Sequence, residues 1–356
     1  MIDPMAAAEA ANRASTKIDS EEFAPVWHAQ LEFDYAALRR TLQRDEHCVE
    51  WELQLPWIDA IQRLKRQRKA LILAHTYQAP EIFHGVADIT GDSLALAQAA
   101  ASTEAELIVM CGVYFMAETA KLLSPDKQVL IPDRLAGCSL ADAISVDDVR
   151  RLRQLHPGVP VVTYVNSSAS VKAESDACCT SANAIEVVES MGSDRVIFIP
   201  DRFLGSYVAA RTPVQLILWP GSCEVHETFT ARQVREARQT GSTKVLAHPE
   251  CQPEVLREAD FVGSTQAMAD WLAREHPTEV ALITECAMSD NLRARFPEIR
   301  FAATCQLCPH MKRITLPNIH RCLLRLEHEV QVELDIAARA RQSLQRMLDV
   351  GRPALQ

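Results

Sequence analysis

The 356-residue chain is predicted to be an α/β protein of three small domains related by approximate three-fold symmetry. Three observations predict this. Short apolar runs alternate with helical stretches, the pattern of parallel strands covered on both faces. A polar strand end precedes a hydroxyl-bearing helix start at nearly constant distance: 18 residues from His75 to Ser93, 17 from Tyr164 to Ser181 and 16 from His248 to Ser264. The units begin 89 and 84 residues apart. That period exceeds a solenoid repeat and the roughly 30-residue βα unit of a single barrel of eight strands, the structural alternative.

Taken in order, residues 1–25 read as a flexible leader, Ala-rich but carrying Asp3, Glu9 and Arg13, with no apolar signal-peptide core. Residues 26–68 have helical periodicity and run into a basic stretch from Lys65 to Lys69. The strand run 70–74 ends in His75-Thr76-Tyr77-Gln78, Gly91-Asp92-Ser93 opens a helix, and the run 107–110 ends at Cys111. The second unit repeats this order. Its run 160–163 leads into Tyr164-Val165-Asn166, Cys178-Cys179-Thr180-Ser181 opens the next helix, and 196–199 leads to Pro200-Asp201. In the third unit 244–247 leads into His248-Pro249-Glu250, Phe261-Val262-Gly263-Ser264-Thr265 precedes a helix, and 280–283 leads to Thr284-Glu285. The tail 327–350 reads as a charged amphipathic helix, which either packs on the first domain or mediates self-association into a homodimer.

Thirty-seven Lys and Arg against 47 Asp and Glu give a formal charge of −10, so the basic stripe of a nucleic-acid or anionic-membrane binder is missing. Only 11 residues are glycine, and neither G-x-x-x-x-G-K-[ST] nor G-x-G-x-x-G occurs, which argues against nucleotide enzymes of those kinds. No window approaches the ~18 uncharged apolar residues of a membrane span. A soluble, cytoplasmic protein is expected, so the 11 cysteines are read as free thiols, metal ligands or reactive groups rather than a disulfide framework.

In open α/β sheets ligands gather beyond the carboxyl ends of strands, here carrying His75, Tyr77, Tyr164, Asn166, His248 and Glu250. Ser93, Ser181, Ser264 and Thr265 stand at helix starts, where free N–H groups suit phosphates and carboxylates; simple N-capping is the plainer reading of each. Among the cysteines, Cys111 closes an apolar run, where a small buried hydrophobe is the plainer reading. Cys223 lies in the polar turn Gly221-Ser222-Cys223-Glu224-Val225-His226, and Cys305 and Cys308 form the one C-x-x-C. That motif alone fits zinc, a redox dithiol or iron–sulfur. One thiolate per domain favours a [4Fe–4S] cluster with an open iron. Cys178 and Cys179 read as core, and Cys48, Cys138, Cys286 and Cys322, without partners at metal spacing, as structural. Cys251 is near the site but surplus to a cluster.

The motifs together resemble the quinolinate synthase A family of bacterial de novo NAD biosynthesis. The resemblance spans about residues 50 to 322 and rests on His75-Thr76-Tyr77-Gln78, Gly91-Asp92-Ser93-Leu94, Cys111-Gly112-Val113, Met116-Ala117-Glu118-Thr119-Ala120-Lys121, Tyr164-Val165-Asn166-Ser167, Cys179-Thr180-Ser181, the turn from Gly221 to His226, His248-Pro249-Glu250-Cys251 and Cys308-Pro309 with Met311-Lys312. It implies three αβα, Rossmann-like three-layer domains with pseudo-three-fold symmetry around a central active site. The corresponding boundaries are 26–137, 138–222 and 223–304, with 305–356 carrying the third cluster cysteine and a helical segment packing back on the first domain. It implies condensation of iminoaspartate with dihydroxyacetone phosphate to quinolinate, phosphate and two waters, and an L-aspartate oxidase or dehydrogenase as the source of the imine.

Carried over by position, the resemblance implies Cys111, Cys223 and Cys308 as ligands of one [4Fe–4S] cluster, and a Cys305–Cys308 link that would compete with its assembly. It implies substrate contacts at His75, Ser93, Tyr164, Val165, Asn166, Ser181, His248, Pro249, Glu250 and Thr265. Glu250, Tyr77 and His75 are the expected proton-handling groups, with the Glu250 pKa moved up towards neutrality. The competing readings are a zinc protein using Cys305, Cys308 and His310 or Cys322, and a non-catalytic sensor of a phosphorylated metabolite.

Overall fold

The computed structural model of the protein describes residues 19–42, 48–238 and 243–350. Strands β1 (Ala70–His75), β2 (Ile89–Gly91), β3 (Leu107–Cys111) and β4 (Gln128–Leu130) form one sheet in the order β2-β1-β3-β4. Strands β5 (Val161–Tyr164), β6 (Ala177–Cys179), β7 (Arg195–Ile199) and β8 (Gln215–Leu218) form a second, ordered β6-β5-β7-β8. Strands β9 (Lys244–Ala247), β10 (Phe261–Val262), β11 (Glu279–Ile283) and β12 (Arg300–Phe301) form a third, ordered β10-β9-β11-β12. Every pairing is parallel, with registers such as Ala74 opposite Cys111, Val161 opposite Ile197 and Val280 opposite Lys244.

The apolar runs visible in the sequence are the two central strands of each sheet. β3 and β11 are buried at all five positions, as parallel strands covered on both faces must be. The outer strands β2, β4, β8 and β12 escape the sequence reading because they are short and partly solvated. No residue of β8, for instance, is buried. β6 likewise occupies positions read as a helix start.

One device recurs in all three sheets. Asp88, Asp176 and Asp260 each precede the second strand of their unit, and each accepts the backbone N–H of the first strand: Ile72 at 2.8 Å, Val161 at 2.7 Å and Val245 at 2.8 Å. Each returns its own N–H to the carbonyl of that same residue. Each also meets a cation from the preceding helix, Lys65 at 2.7 Å, Arg153 at 2.7 Å and Arg238 at 2.8 Å. The first crossover is thereby fixed to the central strand identically three times.

Part of the expected leader is anchored. Residues 1–18 lie outside the described residues, but Phe23 is buried, and its carbonyl meets His320 Nε2 at 2.7 Å. Arg63 Nη2 donates to Ala24 O at 3.3 Å. The C-terminal segment divides. Helix Leu316–Arg325 lies on helix Val49–Arg68 and β3 of the first unit, whereas helix Leu334–Val350 lies mainly on helix Ala169–Ala173 and β6 of the second. The terminal helix buries Ala340, Ser343, Leu344, Met347 and Leu348 there, so its apolar face is occupied within the chain. Among the described residues no helix is long and apolar enough to cross a membrane.

Candidate active site

The carboxyl ends of the central strands converge on one cavity. His75 ends β1 and Tyr77 follows it; Tyr164 ends β5 and Asn166 follows; His248 and Glu250 follow β9. All six line the cavity, with the hydroxyl residues Ser93, Ser181 and Thr265 completing the expected set. Of the expected contacts, Val165 and Pro249 do not reach it; Val165 is packed in the core.

The helix starts resolve the choice between capping and ligand binding. Asp92, not Ser93, caps helix Ser93–Ser102 through Ala95 N–H at 2.9 Å. Asn183 takes the Thr180 N–H at 2.8 Å ahead of helix Ala184–Ser190, and Ser264 caps helix Thr265–Glu275 through Ala267 N–H at 3.2 Å. In the first and third units a neighbour does the capping, helix Ala184–Ser190 of the second has no side-chain cap, and Ser93, Ser181 and Thr265 stand at the cavity wall. The lining contains four histidines but, among the described residues, no Lys or Arg.

A hydrogen-bond chain crosses the site. Tyr77 Oη meets Thr284 Oγ1 at 2.6 Å, and Thr284 Oγ1 meets His226 Nε2 at 2.9 Å. His226 Nδ1 meets Glu250 Oε2 at 2.8 Å, and Tyr164 O–H donates to Glu250 Oε1. An ionised carboxylate only accepts, so His226 Nδ1 carries the hydrogen of its contact with Glu250. His248 stacks on His226 with ring centroids 4.6 Å apart and reaches Ser181 Oγ at 3.3 Å.

Burial dominates the electrostatics. It holds His75 and His248 down at about 3, against the raising influence of Glu250, so both are neutral. It raises the Tyr77 and Tyr164 phenols well above their usual range, with the Glu250 charge acting in the same direction. Burial also works upward on Glu250, but the His248 and His226 imidazoles and the hydrogen bonds from His226 and Tyr164 outweigh it. Glu250 therefore lies below the usual carboxylate range, opposite to the expected upward shift. The cause is partnership: a carboxylate accepting two buried hydrogen bonds is stabilised in its charged form.

Cys223 and Cys308 line the cavity, as does a further thiol, Cys138. Cys111 is wholly buried at the carboxyl end of β3, just ahead of the wall residues Val113 and Met116. Burial raises Cys138 to about 12, opposed by the N–H groups of Ala141 and Leu140. It raises Cys223 and Cys308 as well, opposed by the N–H groups of His226 and Val225 and by those of Met311 and His310.

Cys305 pairs with Cys286 in a disulfide and not with Cys308. With Cys322 bonded to Glu327 O at 3.3 Å, the zinc set of Cys305, Cys308 and His310 or Cys322 is not assembled. Among the described residues the donors that do gather are Cys223, His226 and Glu250, whose ligating atoms lie within 4.8 Å of one another. Sequence reasoning did not single out His226 and Thr284, which stand in the quoted Gly221 turn and in Thr284-Glu285 at a strand end.

Comparison with known proteins accords with this site. The profile described as "NadA: Quinolinate synthetase A protein" matches residues 59–349. The chain belongs to this family. It is 59% identical over 316 residues to quinolinate synthase 1 of Mesorhizobium japonicum, covering 88% of this chain and 98% of the relative. It is 59% identical over 303 residues to the quinolinate synthase of Agrobacterium fabrum, covering 85% and 88%. With that of Caulobacter vibrioides it shares 51% over 340 residues, covering 94% and 93%. Family membership makes the chain an enzyme of quinolinate synthesis in NAD formation.

Proposed function

We propose that this chain makes quinolinate by condensing iminoaspartate with dihydroxyacetone phosphate, releasing phosphate and two waters, with a [4Fe–4S] cluster held by Cys111, Cys223 and Cys308. One observation carries the reading: Cys223 and Cys308 line the cavity that holds the chain from Tyr77 to Glu250, and Cys111 ends β3 at the same carboxyl edge, just ahead of the wall residues Val113 and Met116. Soft sulfur donors fit an iron–sulfur cluster. When bound, a cluster with one iron free of protein ligands supplies a Lewis-acidic position for a substrate oxygen.

The chain's own residues do the rest. The Ser181 and Thr265 hydroxyls receive the phosphate, and His75, Ser93 and Asn166 receive the dicarboxylate imine. Asn166 Oδ1 is buried without a protein partner, as suits an acceptor for a ligand N–H. Each dehydration needs one proton delivered to a leaving hydroxyl and one removed from carbon. Glu250, ionised, takes a proton; Tyr77, a neutral phenol, gives one. Thr284 and His226 between them let a proton gained at one end be exchanged with the other. His248 orients substrate through Ser181.

The identical strand order and the repeated Asp device support pseudo-three-fold symmetry about this cavity, with domains at 26–137, 138–222 and 223–304. The reading places the enzyme in the cytoplasm beside an L-aspartate oxidase or dehydrogenase that supplies the short-lived imine. The test is anaerobic reconstitution followed by assay with freshly generated iminoaspartate and dihydroxyacetone phosphate. Quinolinate and a brown protein with iron and sulfide are expected. A colourless zinc protein, held at Cys223, His226 and Glu250, or absence of quinolinate, overturns the proposal.

A further inference from the structure

Tyr77 belongs to the first unit, yet the segment that carries it is held from outside that unit. Its three successive carbonyls are all taken by side chains distant in sequence. Asn291 Nδ2 donates to Thr76 O and to Gln78 O, each at 2.9 Å. Lys312 Nζ donates to Tyr77 O at 2.7 Å. Asn291 lies in helix Ala287–Arg295 of the third unit and is 2% exposed. Only an amide NH2 can face two carbonyls, so the orientation of its side chain is fixed by its partners. Its Oδ1 is buried without a partner, an uncompensated cost that a purely packing residue would not incur.

The other end of the grip also leads to the site. Lys312 Nζ pairs with Glu285 Oε1 at 2.8 Å, and that oxygen faces the Cys308 N–H at 3.4 Å. Thr284, the partner of the Tyr77 hydroxyl, is the residue before Glu285. One short stretch of the third unit therefore receives the tip of Tyr77, while its following helix and Lys312 hold the backbone beneath. Within the first unit the segment keeps turn bonds of its own, Gln78 N–H to His75 O at 2.9 Å and Thr76 N–H to Gly91 O at 3.0 Å. Those bonds do not fix where the phenol lies relative to Thr284.

We propose that Asn291, with Lys312, is a positioning residue for Tyr77: it clamps the Tyr77 backbone to the third unit so that the phenol meets Thr284. This rests on the reading of Tyr77 as a proton-handling group. Displacing a reacting group by about an ångström costs on the order of a hundredfold in rate, so loss of the clamp acts on turnover rather than on substrate affinity.

A double-mutant cycle on the anaerobically reconstituted holoenzyme tests it, with N291L, Y77F and the double variant compared for kcat, KM for dihydroxyacetone phosphate, and iron and sulfide content. Asn291→Leu is expected to lower kcat by about tenfold to a hundredfold with KM and cluster content unchanged, and to add little in the Tyr77→Phe background, because coupled residues are non-additive. Wild-type kcat in N291L, or losses that multiply in the double variant, overturns the clamp while leaving the role of Tyr77 intact. Normal turnover in Y77F instead removes the role of Tyr77 and the clamp with it. Should N291L not fold, the same cycle with Lys312→Met decides by the same criteria.

Discussion

At the scale of single residues, the contrast between Cys111 and Cys138 is the most instructive. Both are buried or nearly so; Cys111 ends β3 just ahead of the wall residue Val113, and Cys138 lines the cavity itself. With Cys111, Cys223 and Cys308 as the ligands, Cys111→Ser should abolish iron and sulfide retention after anaerobic reconstitution, while Cys138→Ser should retain both; metal and sulfide analysis of the two variants checks this. The place of Cys138 in the cavity wall was not legible, because Gly137-Cys138-Ser139 has no second donor at a ligand spacing and Cys223 and Cys308 are 85 and 170 residues away. By contrast His75, Tyr164, Asn166, His248 and Glu250 were legible, since strand ends in parallel sheets point to one edge.

At the scale of elements, the partly exposed carboxylate at each first crossover governs how strand and helix are joined. Removing one leaves a buried strand N–H without its partner. An unsatisfied buried donor costs about 1–3 kcal/mol, so Asp176→Ala should lower stability by roughly that amount, and Asp88→Ala and Asp260→Ala similarly. Denaturant titration of the three variants checks this; no change in midpoint in any of them would remove the device from the account of stability. The central strands were legible through their apolar runs, but β4, β8 and β12 were not. An edge strand needs only one neighbour and tolerates polar residues, so Gln215 to Leu218 carries no periodic mark. The helix starts were half legible: Ser93, Ser181 and Thr265 were found, whereas the division of labour with the capping residues Asp92 and Ser264 depends on backbone geometry.

At the scale of the whole molecule, the site is made by docking three units, and its buried imidazoles tie that docking to acidity. His75 and His248 are held at about 3 when folded, against about 6.5 in an unfolded chain. The unfolded state binds the extra protons, so stability is complete above about pH 6.5 and falls as pH drops towards 3. By pH 5 each imidazole accounts for about 2 kcal/mol, and the depressed Glu250 adds to the loss at lower pH. Thermal melts should fall steeply between pH 7 and 5, and His248→Gln should flatten that slope; an unchanged slope would place the acid sensitivity elsewhere.

The cavity wall without a lysine or arginine also sets how ligands arrive. Its imidazoles, hydroxyls and helix starts act over only a few ångströms, while the molecule as a whole carries ten excess negative charges. An anionic metabolite approaching from bulk solvent meets repulsion first and attraction only on arrival, the reverse of a steered encounter. Added electrolyte shortens the reach of that repulsion, so kcat/KM should hold level or rise with ionic strength. Capture by this enzyme is gated by proximity, and a high local supply of substrate matters more to it than long-range pull.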